Sequence, residues 1–330
     1  MISRRLLRIK TLQVLYAYYL SDNPSLEKSK KELLFSVEKT YELYHYLILL
    51  ILDITDYSET RNDIARSKYF PTEEEANPNV RFLTNPVIST LRNNPELKRY
   101  IGTKRISWVN YPELIKNLYN EFINHEAYKD YMDSPQADFG QHKDIVSFLL
   151  TDIIIQSDLL QQILEEQSIY WNDDLDFAGL MAQKTVASCK ESGKIKVFPK
   201  FKNDDDRQFL LELFQKSVNK SSENRDLIKR FADNWEFERI ALMDIFIMQI
   251  AITEAIEFPS IPTKVTFNEF IEISKYYSTE KSSQFINGIL DKAFHTLQSN
   301  CSAKSDFSSP CSCIIFKLHK FFILHISSKL

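Results

Sequence analysis

Apolar residues recur at helical spacing along most of the chain. Leu12, Leu15 and Tyr19 mark one face of a first segment, which stops near Ser21-Asp22-Asn23-Pro24, where turn-formers and a proline end a helix. Residues 27–66 read as one long helix or two, centred on Tyr41–Asp56. Between 71 and 140 the rhythm is broken by Pro71, Pro78, Pro86, Pro95, Pro112 and Pro135, so short helices are expected there, with Thr72-Glu73-Glu74-Glu75 as a solvated helix start. Ile145 to Gln167 predicts one strong helix, with Val146, Leu149, Leu150, Ile153, Leu160 and Leu164 on one face. Another follows near Phe177–Lys190 and ends at Gly193.

The last third is the most regular. Leu210, Leu211, Phe214 and Val218 make one stripe, and Ile228, Phe231 and Trp235 a second. Between Asp244 and Ile256 the apolar residues run around most of the helix circumference, which places that helix at the centre of a bundle. Pro259 and Pro262 end it, and a helix from about Lys264 to Tyr277 follows. The final helix carries Phe285, Ile286, Ile289, Leu290, Ala293, Phe294 and Leu297. Residues 301–330 change character, with Cys313-Ile314-Ile315-Phe316 and Phe321-Phe322-Ile323-Leu324 interrupted by lysines and histidines. They read either as a short amphipathic segment or as an extension with no selected fold.

Composition narrows this picture. Five glycines in 330 residues are too few for an all-β fold or a phosphate-cradling α/β fold, so an all-α fold is expected. Three of the four cysteines, Cys301, Cys311 and Cys313, lie in the last 30 residues and cannot staple the body, which suits a reducing, cytoplasmic setting. The run Tyr46–Leu52 stops at Asp53, far short of the roughly 20 residues that span a bilayer. No membrane association and no secretory signal are expected.

Catalytic and metal motifs are missing. The chain has no G-x-x-x-x-G-K-[ST] loop, no G-x-G-x-x-G turn and no G-x-S-x-G elbow. Cys311-x-Cys313 lacks a second ligand pair, and the six histidines form no H-x-x-x-H pattern. Asp173-Asp174-x-Asp176 and Asp204-Asp205-Asp206 read as helix starts, where acids face the positive helix end. No enzyme activity, cofactor or metal is therefore expected.

Charge distribution says more than the net charge of −4. The first ten residues hold Arg4, Arg5, Arg8 and Lys10 and no acid. On a helix the apolar stripe of Leu12 and Leu15, traced backwards, becomes basic at Arg8 and Arg5. Unpaired arginines cannot enter a dry core, so the first turns are expected to project or unwind. A projecting arginine-rich end suits RNA, because guanidinium forks bind phosphates and stack on bases; a solvated terminus without function is the plainer alternative.

Two stretches carry a family resemblance. Arg4-Arg5-Leu-Leu-Arg8-Ile-Lys10-Thr-Leu-Gln13-Val-Leu15-Tyr16 is similar to the arginine-rich opening of NusB proteins. Val265-Thr-Phe-Asn268-Glu269-Phe-Ile-Glu272-Ile-Ser-Lys275-Tyr-Tyr277, followed by Ser278 to Lys292, resembles that family's V-A-I-N-E-A-V-E-L-A-K-x-F-G-x-E-x-S-x-x-F-V-N-G-V-L-D-K signature, and Asp244 to Glu254 its preceding helix. The resemblance covers roughly residues 3–21 and 203–298. It implies a NusB-like helical bundle made of residues 1–21 and 201–298, with a helical insertion over 22–200; residues 299–330 are expected, from their own composition, to be a disordered or non-native tail.

The resemblance also implies function: a non-enzymatic transcription antitermination factor that binds boxA-type single-stranded RNA together with the ribosomal protein NusE. Such a factor supports an antitermination complex on RNA polymerase over ribosomal RNA operons, and is a monomer or weak homodimer when unbound. Carried onto this chain, the RNA-binding residues would be Arg4, Arg5, Arg8, Lys10, Tyr16, Lys275, Tyr277, Lys281 and Phe285, with Asp244 and Glu254 facing the protein partner. Tyr277 and Phe285 are equally readable as core aromatics, and Asp244 as a helix N-cap. Leu6 replaces a frequent family arginine, Ser278 a glycine, and Lys281 stands at a position often acidic. A helical protein-interaction module with little RNA binding is the alternative. A NusB-like domain attached to an RNA methyltransferase is a third possibility, but it needs a cofactor-binding α/β domain for which the chain has no room.

Overall fold

The computed structural model describes residues 1–232 and 236–302 of the chain, and among these every regular element is helical. In order they are α1 (Arg4–Leu20), α2 (Leu26–Arg66), α3 (Glu73–Ala76), α4 (Pro86–Asn93), α5 (Pro95–Lys104), α6 (Pro112–Asn124), α7 (Glu126–Asp133) and α8 (Phe139–Phe148). Then come α9 (Asp158–Gln167), α10 (Leu175–Ala187), α11 (Asp204–Asn219), α12 (Ser221–Phe231), α13 (Leu242–Glu257), α14 (Thr263–Tyr277) and α15 (Glu280–Ser302). Residues 303–330 and Trp235 lie outside the described residues, so most of the expected tail, with Cys311 and Cys313, does too.

The described residues pack into two compact units, one of residues 1–2 and 35–202, the other of residues 3–34 and those described between 203 and 302; the boundary falls inside α2. The first unit shows how prolines punctuate rather than destroy helices. Pro86, Pro95 and Pro112 each occupy the first helical position, where the missing N–H has no helical partner to lose. Thr72 and Glu75 close a reciprocal capping box on α3.

Glu38 on α2 collects three donors in this unit: Tyr100 Oη at 2.9 Å, Lys104 Nζ at 2.8 Å and Lys200 Nζ at 2.5 Å. Burial alone would raise this carboxyl, but the three donors hold it down to about 2. Nearby His45 stacks on Tyr100 with ring centres 3.8 Å apart and directs Nδ1 to the Tyr41 carbonyl at 2.8 Å.

The expectation of one helix over Ile145–Gln167 is corrected. Leu149–Ile154 widens into a π-helical turn, with Ile155 N bonded to Leu150 O at 3.0 Å, and Ser157 then caps a separate α9. The apolar spacing survives the extra residue, so periodicity alone did not expose the break.

In the second unit α13 packs against α1, α11, α12, α14 and α15. Its residues from Asp244 to Ala255 are all buried, as its all-round apolar character predicts. Polar residues within it are satisfied: Gln249 Nε2 donates to Ser217 O at 2.7 Å, and Asn224 Nδ2 donates to Thr253 Oγ1 at 2.8 Å. On α11 the buried stripe is Phe209, Leu210, Leu213 and Phe214, while Leu211 and Val218 are only half-buried. On α15 the buried face is Ile286, Ile289, Leu290, Ala293 and Phe294.

Candidate nucleic-acid interface

Helix α1 begins at Ser3, whose hydroxyl accepts the Leu6 N–H, and carries arginines with no acid in its first turn. Such charges oppose the helix dipole, so carboxylates from other helices are needed to hold them. Arg4 Nε donates to Asp206 Oδ1 at 2.9 Å, with its guanidinium over the Phe209 ring. Arg5 forms a fork on Glu269, both bonds at 2.9 Å, and these bonds raise its already high pKa. Both side chains keep about two fifths of their surface, at 42% and 39%.

One turn on, the environment changes. Arg8 is 2% exposed and donates Nε and Nη2 to the two Glu254 oxygens at 2.7 and 2.8 Å. Thr266 Oγ1 adds a third donor to Glu254 at 2.7 Å. Lys10 is fully buried. The projecting basic arm is thus corrected: α1 lies in the body from its first turn, and Arg8 enters the core because Glu254 travels with it. Arg8 and Lys10 are not surface groups that RNA phosphates can reach in this structure.

The expected partner-facing acids are corrected for the same reason. Glu254 is wholly buried beneath Arg8, and Asp244 is 3% exposed and accepts the Ser278 hydroxyl at 2.5 Å. Nor is Asp244 an N-cap, since α13 starts at Leu242 with Ala241 before it.

The remaining candidates are half-buried or exposed. Tyr277, half-buried at the end of α14, accepts Gln13 Nε2 at 3.1 Å and so is tied to α1. Tyr16 is half-buried, edge-on to Phe246 at 6.2 Å. Lys275 is exposed and pairs with Glu272 on its own helix. Lys281 and Phe285 line a groove of about 460 Å³ with Phe231, Gln284, Gly288, Ile289 and Lys292. Sequence reasoning missed Gln13, Asp206 and Glu269, whose partners lie 200 residues or more away. No local pattern signals such pairs.

No helix among the described residues is long and apolar enough to cross a membrane, and no group of three His, Cys, Asp or Glu there could hold a metal.

Comparison with known proteins places this arrangement. A family model described as the NusB family matches residues 174–295. The transcription antitermination protein NusB of Natranaerobius thermophilus is 30% identical over 131 residues, covering 40% of this chain and 86% of that protein. The NusB of Koribacter versatilis is 37% identical over 99 residues, 30% of this chain and 68% of its own. The NusB of Chloroherpeton thalassium is 40% identical over 93 residues, 28% of this chain and 44% of its own. Of that relative and the NusB of Salinibacter ruber the chain spans only about half, 44% and 53% of their lengths. No solved structure matches.

Proposed function

This chain belongs to the NusB family, and on that premise we propose that it is a cytoplasmic transcription antitermination factor that acts by binding, without chemistry. Its ligand is boxA-type single-stranded RNA, held jointly with NusE, and the assembly serves RNA polymerase transcribing ribosomal RNA operons. Residues 22–200 are a helical insertion into the RNA-binding bundle.

The observation that carries this proposal is the placement of Arg4 and Arg5. Both are half-open, on a helix that Gln13 ties to Tyr277 at the α14–α15 turn. Arg5 can exchange the part-exposed Glu269 for a phosphate at little cost, because exposed ion pairs contribute under about 1 kcal/mol, whereas Arg4 keeps its exposed side for a phosphate beside the buried Asp206. Lys275 and Lys281 add exposed charge, and the half-buried rings of Tyr16, Tyr277 and Phe285 offer faces for bases. Since Asp206 and Glu269 compete for the arginines, affinity for RNA alone is modest and NusE supplies the rest.

Co-purification with NusE followed by titration of a boxA-type oligonucleotide tests this. Binding is expected, and Arg4→Ala with Arg5→Ala weakens it while flattening its salt dependence by about 1.4 in log–log slope, near 0.7 per lost phosphate contact. A chain that takes up neither NusE nor RNA at low salt refutes the proposal. A helical protein-interaction module is the second reading, favoured by the pairing of all three α1 arginines with carboxylates; pull-downs that are unchanged by ribonuclease and contain no NusE distinguish it.

A further inference from the structure

Arg225, in the second unit, pairs with no carboxylate among the described residues. Arg225 stands on α12 with its guanidinium carbon 5.5 Å from the Tyr19 ring centre and 5.9 Å from that of Phe246. Those two rings stack at 5.1 Å and 23° from parallel. Arg225 is half-buried, and its Nε is shielded from water with no hydrogen-bond acceptor among the described residues. A shielded donor left unpaired gives up the bond it made in water, and a charge without a counter-ion adds to the cost. Arg4, Arg5 and Arg8 each avoid both losses through an acid.

The geometry is that of a cation held between rings with no counter-ion among the described residues. The two rings restrict the guanidinium without supplying a full negative charge, so an arriving oxyanion meets terminal N–H donors that have little freedom left to lose. The surroundings favour a phosphodiester over a protein carboxylate. Tyr16 and Tyr19 are half-buried beside the site and present rings of the kind on which bases stack. Both belong to the helix that carries Arg5. Eleven residues at about 100° each return Tyr16 to within roughly 20° of Arg5 around that helix. At roughly 1.5 Å per residue, Tyr19 lies about 21 Å further along it.

We propose that Arg225 is an RNA phosphate ligand at the far end of a track along α1 that starts at Arg4 and Arg5. This rests on the RNA-binding role proposed above. The test is fluorescence polarisation of the full chain with a labelled boxA-type oligonucleotide across a salt series, for wild type, Arg225→Gln, Arg225→Lys and Arg5→Ala.

Arg225→Gln is expected to weaken binding roughly tenfold and reduce the salt slope by about 0.7, with an unchanged circular-dichroism melt. Arg225→Lys should keep most of the slope and recover part of the affinity, because it restores the charge but not the planar fork. Wild-type affinity and slope in Arg225→Gln, beside a loss in Arg5→Ala, overturn this inference and leave the RNA-binding proposal standing. Unchanged RNA binding with lost NusE co-purification overturns it in favour of a protein carboxylate. If Arg225→Gln melts early, equal slopes for Arg225→Lys and wild type support the contact and a reduced slope in Arg225→Lys overturns it. No RNA binding by wild type sinks both proposals.

Discussion

Arg5 and Arg8 sit three residues apart on α1, and each grips a glutamate with two guanidinium N–H bonds. Arg5 is 39% exposed and its partner Glu269 is 22% exposed, against 3% for Arg8 and none for Glu254. The same bonding pattern therefore has two meanings. In water the pair is nearly free to come apart, and the arginine is available to a ligand. In the core neither charge can turn to water; Arg8 has only Glu269 besides, at 3.7 Å, and the arginine is a structural tie between α1 and α13. Residue type alone did not separate them; depth did.

The contrast is broken most severely at Glu254. Glu254→Ala leaves buried Arg8 with only the more distant Glu269 and removes the acceptor of Thr266, and should cost about 3 kcal/mol in urea unfolding. Arg8→Ala should cost a similar amount. Replacing both together by apolar residues, Arg8→Met with Glu254→Leu, should recover most of the loss, because no lone charge remains. A double variant as unstable as either single one would show that the pair does more than neutralise itself.

His45 sharpens the comparison, because it is buried against rings and a carbonyl rather than a carboxylate. Burial lowers its pKa to about 4 from an ordinary 6.5, outweighing the Tyr41 carbonyl bond that favours the charged form. The unfolded chain takes up this proton near 6.5 and the folded one only near 4, so stability falls as the pH drops through that window. The loss is about 3 kcal/mol, and His45→Phe should remove that portion of a pH-dependent melt. Glu38 acts lower, its contribution fading from about 4.5 towards 2.

Ser278→Gly should have a smaller effect, about 1 kcal/mol, by leaving buried Asp244 without the serine donor. Ser278 has φ of −139°, so glycine gains nothing there from its backbone freedom. Smallest of all is Arg5→Ala, under about 1 kcal/mol in thermal stability. A large loss there would erase the distinction between the two arginines.

Much of the architecture was legible from periodicity. The all-round apolar run of Asp244–Ile256 marked the bundle centre because only a surrounded helix can bury every side, and the prolines marked a region of short helices. The break after Phe148 was not, since a π turn preserves an apolar face while shifting register. At the site, the arginines were visible but their fates were not. Glu254 is 246 positions from Arg8, and a charge that looked barred from the core was admitted with a counter-charge that only the tertiary fold supplies. Arg225 gave no signal, because its two rings come from α1 and α13.

The Arg8–Glu254–Thr266 knot also restricts how this chain can change over generations. Loss of either charge alone is a step into instability, so the two positions are expected to drift as a couple and not independently. Grafting the opening twenty residues of a relative onto the remainder of this chain should succeed when the donor brings an arginine to position 8, and otherwise only when position 254 is altered in the same stroke.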